Sequence, residues 1–204
     1  MIVIVDYELG NPKSIKNMLK KIGYDSIISQ SVEDIKNANF LILPGVGNFK
    51  KGMNNLKKLN IINSLNHQVL VNKIPVLGIC LGMQLMTNFS EEGGVEGLGW
   101  VDAEVRKFSF KTNRLKIPHM CWNQVKLKKS FEFNFPEFPP RFYFVHSFFV
   151  SCNVNEDIMS TSYYGIEFVS SFLKDNIIGV QFHPEKSHKF GIEIFKMFLN
   201  SAKS

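Results

Sequence analysis

The chain has 204 residues, 45% of them hydrophobic, and 24 Lys and Arg against 18 Asp and Glu give it a formal net charge of +6. That length and apolar content suit one core of ordinary size, so residues 1–204 are expected to form a single domain. No run approaches the roughly 18 apolar residues of a membrane span, the N-terminus reaches Asp6 without a basic leader region, and the excess charge is scattered lysine with only three arginines, which fits a solvated cytoplasmic protein better than a nucleic-acid or membrane binder.

Ile2-Val3-Ile4-Val5 is an unbroken apolar run, the pattern of a parallel strand buried on both faces. It feeds a polar loop, Asp6 to Pro12, at the strand's carboxyl end, where open α/β sheets place ligands. Apolar residues at 15, 18, 19 and 22 predict a helix over Ser14–Ile22 that Gly23 closes. Residues 25–28 read as a weaker strand, and Ser31-Val32-Glu33-Asp34 as a capping box opening a short helix. Phe40-Leu41-Ile42-Leu43 is a further strand ending at Pro44-Gly45-Val46-Gly47, and one or two helices fill residues 49–72. This alternation predicts a doubly wound, mostly parallel sheet with right-handed crossovers.

Past Gln84 the character changes. Glu91 to Gly99 is too glycine-rich for a helix and reads as a loop. From Trp100 onward come short Val-, Phe- and Tyr-rich pieces broken by Pro136, Pro139 and Pro140, an antiparallel extension of the parallel core. Two apolar runs, Arg141–Val145 and Ile177–Phe182, lead to His146 and to His183-Pro184-Glu185, and apolar residues at 194, 195, 198 and 199 mark a final amphipathic helix.

The chemistry centres on Val76-Leu77-Gly78-Ile79-Cys80-Leu81-Gly82, a strand that stops at a Gly-x-Cys-x-Gly turn and restarts as a helix. Such a turn is a nucleophile elbow with sulfur in place of oxygen, and the helix that follows favours a thiolate. A buried structural cysteine is the alternative. The other cysteines, 121 and 152, complete neither a disulfide framework nor a metal-ligand spacing, so reduced thiols are expected. A thiol nucleophile needs a base and a group to orient that base. His183 fits, because Glu185 two residues on shares its face in an extended segment and Pro184 keeps His183 extended. His67 and His188 read as solvated, and His119 and His146 as either site-lining or structural. Gly45 and Gly47 leave their loop free to turn N–H groups toward an oxyanion.

Taken together, Pro44-Gly45-Val46-Gly47, Gly78 to Gln84 and Gly179-Val180-Gln181-Phe182-His183-Pro184-Glu185 resemble the motifs of the triad-type, class-I glutamine amidotransferases, whose fold is an open, mostly parallel, flavodoxin-like sheet flanked by helices. Pro118-His119-Met120-Cys121-Trp122-Asn123 and Tyr143-Phe144-Val145-His146-Ser147 bring the resemblance closest to the glutaminase subunits of imidazole glycerol phosphate synthases and their surface-glycan relatives. The resemblance implies a Cys80–His183–Glu185 triad, an oxyanion hole from Val46, Gly47 and Leu81, and glutamine held by Gln84, Glu92, Ser147 and Phe148. It further implies no metal or cofactor, and ammonia passed to a (β/α)8-barrel synthase subunit in a heterodimer, across an interface with Asn11, Trp122, Asn123 and Lys186. Cys121 stands where the family has glycine, which puts a left-handed backbone there in doubt. Rival expectations are the same glutaminase feeding a sugar amidination enzyme, as the Glu185–Gly191 segment suggests, and a free-standing γ-glutamyl thiol hydrolase.

Overall fold

The computed structural model describes residues 1–110, 115–128, 135 and 139–201. Pro136, read above as a strand breaker, lies outside them. The chain opens with β1 (Ile2–Val5) and runs through α1 (Pro12–Lys21), β2 (Ser26–Ser29), α2 (Val32–Lys36), β3 (Phe40–Leu43), α3 (Phe49–Lys58) and α4 (Ile62–Asn66) to β4 (Val76–Ile79). α5 (Leu81–Leu85) follows at once, and a hairpin of β5 (Phe89–Ser90) and β6 (Val95–Glu96) leads to β7 (Ala103–Lys107) and β8 (His119–Gln124). Then come β9 (Lys126–Leu127), β10 (Arg141–His146), β11 (Phe148–Cys152), β12 (Ile158–Tyr164), β13 (Ile166–Lys174), β14 (Ile177–Val180) and α6 (His188–Asn200).

Strands β2, β1, β3, β4 and β14 lie side by side in that order and all parallel. β13, β11 and β7 continue the sheet antiparallel, while β8 and β10 pair separately. Alternate strand residues feed two cores: Val3, Val5, Leu41 and Leu43 face one layer of helices, and Ile2, Ile4, Ile42 and Leu77 face the other. That division explains the unbroken apolar runs, since a strand covered on both faces has no polar side. α6 covers the second core with Ile194, Phe195, Phe198 and Leu199, each burial contributing about 1.5–3 kcal/mol.

Two local expectations shift. α1 starts two residues before Ser14, because Pro12 occupies its first turn and the Asn11 side chain accepts from the Ser14 N–H at 3.2 Å. The glycine-rich stretch after Glu91 is not all loop: its Val95 pairs with Ser90, and its glycines at 93 and 94 take the positive φ that the hairpin turn requires.

The topology decides where the chemistry meets. β14 comes last in the chain yet lies beside β4, with Val180 opposite Ile79 and the Cys80 N–H donating to the Val180 carbonyl at 2.7 Å. Two motifs a hundred residues apart thus leave the sheet from adjacent strand ends. The elbow sits tight against β3: a Cβ on Gly82 would stand 1.9 Å from the Leu43 carbonyl oxygen, and one on Gly45 2.5 Å from the Leu81 Cβ. Gly82→Ala is therefore expected to cost at least about 3 kcal/mol in urea denaturation, as overpacking against backbone does. Gly94→Ala, with φ +61 but open space around it, should cost about 1 kcal/mol.

Candidate active site

Cys80 occupies the turn between β4 and α5 at φ 51 and ψ −105, a conformation that costs a non-glycine residue on the order of 1–3 kcal/mol. The surrounding packing holds it there. Gln181 Nε2 donates to its sulfur at 3.5 Å, and the Val145 carbonyl lies 3.8 Å away as an acceptor for the thiol.

His183 lies just past β14, its backbone fastened on two sides. Its N–H donates to the Tyr143 carbonyl at 2.9 Å, and its own carbonyl accepts from Ser187 Oγ at 2.7 Å. The ring's Nδ1 sits 2.7 Å from Glu185 Oε1, with both side chains almost wholly buried. The extended i, i+2 geometry expected for this pair is not what joins them. Glu185 belongs to a 3-10 turn, Pro184–Lys186, that begins at the proline and curls the carboxylate back onto the ring, while His183 itself stays extended. Nε2 has no partner in ordinary hydrogen-bond geometry among the described residues, yet Cys80 is close enough to act on it. Burial opposes a charged His183, but Cys80 and Glu185 outweigh it and push the pKa up to about 10. The arrangement favours an imidazolium held between the sulfur and the carboxylate.

Above the sulfur is a cavity of about 230 Å³ lined by Cys80, Val46, Gly47, Leu81, Gln84, Glu92, Ser147 and Phe148, with Pro118, Val145 and His146 completing the wall. Every residue singled out for oxyanion or glutamine contact thus borders one space. No hydrogen bond among the described residues ties down the N–H of Val46 or Gly47, and Gly47 has φ 136. Glu92 is anchored by accepting from the Phe49 N–H at 2.7 Å, at the start of α3. No cluster of His, Cys, Asp or Glu among the described residues is arranged to hold a metal.

A family model for class-I glutamine amidotransferase matches residues 3–202. The chain belongs to this family. It is 53% identical over 204 residues to imidazole glycerol phosphate synthase subunit HisH 2 of Methanococcus maripaludis, across 99% of this chain and 100% of that relative. A subunit of the same name from Pseudomonas aeruginosa is 45% identical over 201 residues, covering 98% of each. Among solved structures, a glutamine amidotransferase superposes with a TM-score of 0.78 at 16% identity over 100% of both chains, and PurLQS from Thermotoga maritima with 0.73 at 16% over 98% of both, which establishes the fold.

The residues expected at a partner face of this amidotransferase are placed as follows. Trp122 is partly exposed and stacks on His188 at 5.7 Å, Lys186 lies 5.6 Å over the Tyr143 ring, and Tyr143 pairs with Trp122 across β10 and β8. Asn123 follows Trp122 and donates to the Tyr163 carbonyl at 2.9 Å. Asn11 caps α1 beside Gly10, where a Cβ would meet the Gly45 nitrogen at 3.0 Å. Cys121 is extended strand opposite Phe144 with no positive φ, in keeping with the doubt about a left-handed backbone there.

Two participants went unnoticed in the sequence. Gln181 reaches the sulfur, and the fully buried Tyr7 donates from Oη to the Pro44 carbonyl beneath the Gly45 loop. Burial raises the Tyr7 pKa, and Cys80 raises it further, so it stays a phenol.

His119 and His146 are buried and held neutral. Burial lowers His119 to about 4, and burial, outweighing the Phe148 carbonyl and aided by His119 and His183, lowers His146 to about 3. Their unfolded pKa is about 6.5, so the unfolded chain takes up protons that the folded chain refuses, and stability present above that pH is lost as pH falls toward 4 and 3. Two such protons give a slope of up to about 2.7 kcal/mol per pH unit. Urea denaturation between pH 6.5 and 5 should show this fall, and His146→Gln should remove roughly half of it.

Proposed function

We propose that the chain is the glutaminase subunit of an imidazole glycerol phosphate synthase, releasing ammonia from glutamine for a (β/α)8-barrel synthase subunit in a heterodimer that serves histidine biosynthesis. The observation that carries the hydrolytic part is the cavity that gathers Cys80, Val46, Gly47 and Gln84 around one small space. The names of full-length relatives at 53% and 45% identity support the pathway.

In this mechanism the Cys80 thiolate attacks the carboxamide carbon of glutamine, and the tetrahedral oxyanion is met by backbone N–H groups of Val46, Gly47 and Leu81. The His183 imidazolium gives its proton to the departing nitrogen, which leaves as ammonia, and a γ-glutamyl thioester remains on Cys80. Neutral His183 then takes a proton from water as it attacks the thioester, the sulfur leaves as thiolate, and glutamate is released. Glu185 keeps Nδ1 protonated, so that Nε2 faces the reaction throughout. Gln84, Glu92, Ser147 and Phe148 hold the amino-acid end.

Cys80→Ala is expected to abolish glutamine hydrolysis with the fold and partner binding retained, and a glutamine-analogue adduct should map to Cys80 by mass spectrometry. An adduct on Cys121 or Cys152 instead would overturn the assignment. A ready oxyanion hole would waste glutamine whenever no acceptor is bound, so the exposed Val46–Gly47 loop is taken to rest in an inactive state that the barrel shifts, through Trp122 and Asn123. Glutamate release should rise at least about a hundredfold with the barrel and its substrate, equivalent to roughly 2.7 kcal/mol. Full activity of the isolated chain would favour a free-standing hydrolase, and activation by a sugar amidination partner alone would reassign the acceptor.

A further inference from the structure

We propose that Gln181 is a positioning residue for the Cys80 sulfur, its orientation dictated by Gln84, which the Phe148 carbonyl holds in turn; this rests on the glutaminase reading. Gln181 is wholly buried and its backbone N–H is fixed on the Ser170 carbonyl at 2.9 Å. Its side chain has one partner at each end: Oε1 accepts from Gln84 Nε2 at 3.0 Å, and Nε2 donates to the sulfur at 3.5 Å. The other hydrogen of Gln84 Nε2 goes to the Phe148 carbonyl at 3.1 Å. Because Gln84 presents only donors here, the Gln181 oxygen must face it and the Gln181 amide hydrogens must face the sulfur. Flipping either amide would set like against like.

The Phe148 carbonyl in turn has a second donor, His146 Nδ1 at 2.7 Å. A carbonyl only accepts, so His146 carries its hydrogen on Nδ1, and its Nε2 accepts from His119 Nδ1 at 3.0 Å. His119 Nε2 is then left as the acceptor for Asn123 Nδ2 at 3.3 Å, and the Asn123 oxygen is occupied by the Gln124 N–H at 2.8 Å. Each tautomer is therefore set by its neighbour. Rotation is blocked by packing, since His119 is stacked between Phe144 at 4.9 Å and Tyr164 at 4.1 Å. The outcome is an N–H aimed permanently at the nucleophile. Such a donor favours anionic over neutral sulfur, and it restrains the side chain along the direction that the elbow backbone sets.

The test measures Cys80 alkylation by iodoacetamide at pH 7 in the full chain, with peptide mass spectrometry counting Cys121 and Cys152 separately. Gln181→Leu should slow Cys80 labelling about tenfold, equivalent to about 1.4 kcal/mol. The kcat of the partner-activated enzyme should fall in parallel while KM stays within about twofold, because Gln181 does not border the cavity. A folded Gln181→Leu chain that labels at the wild-type rate overturns the proposal. A second variant guards against a packing effect: Gln181→Met keeps the length of the side chain without its donor and should slow Cys80 labelling similarly, and a folded Gln181→Met chain that labels at the wild-type rate would overturn the proposal. Failure of the underlying glutaminase reading looks different, with wild-type Cys80 labelled no faster than Cys121 and no glutamate released with any partner.

Discussion

The site depends on one steric constraint, the close packing of the Cys80 turn against the end of β3. Gly82 lies so near the Leu43 carbonyl, and Gly45 so near Leu81, that no side chain fits at either position. This packing keeps Cys80 at a positive φ that the residue would not adopt on its own, and the rest of the fold over-determines it. Parallel pairing of β4 with β14 then brings His183 to the same sheet edge, and the buried carboxylate of Glu185 completes the line. Strain at the nucleophile is thus supported by the burial energy of two cores.

Electrostatics follow from that placement. The sulfur and imidazole are buried, where charge interactions exceed their strength in water, and the pull of Cys80 and Glu185 on His183 outweighs its burial. Two other histidines stand close by and stay neutral, because burial dominates at both and His119 and His183 add to it at His146. Three buried imidazoles in one region therefore divide into one charged and two uncharged. Their neighbours make the difference.

Much of this was legible in the sequence because it is local. Continuous apolar runs announce strands covered on both faces, glycines two residues either side of Cys80 announce a tight turn, and Pro184 after His183 announces an extended base. The helix limits moved only where a cap acts, as Asn11 and Pro12 do for α1. The 3-10 turn that carries Glu185 was missed because the same i, i+2 spacing suits a strand. Gln181, in an apolar run, and Tyr7, in the polar loop after β1, could not be read as site residues, since they meet Cys80 or Pro44 only through tertiary contact, 101 and 37 residues away. Cys121 in place of a glycine spoke against a left-handed backbone, and its strand pairing with Phe144 accepts any side chain.

The central claim is that the elbow sets the Cys80 sulfur where it and Glu185 together hold His183 as an imidazolium. The most direct measurement is the charge state of His183 by 15N NMR at pH 8 in the wild-type chain and in Cys80→Ala. The account predicts an imidazolium, with both ring nitrogens protonated, in the wild type and its collapse to a neutral ring once the sulfur is removed. A neutral His183 in the wild-type chain at that pH, unchanged in Cys80→Ala, would contradict it.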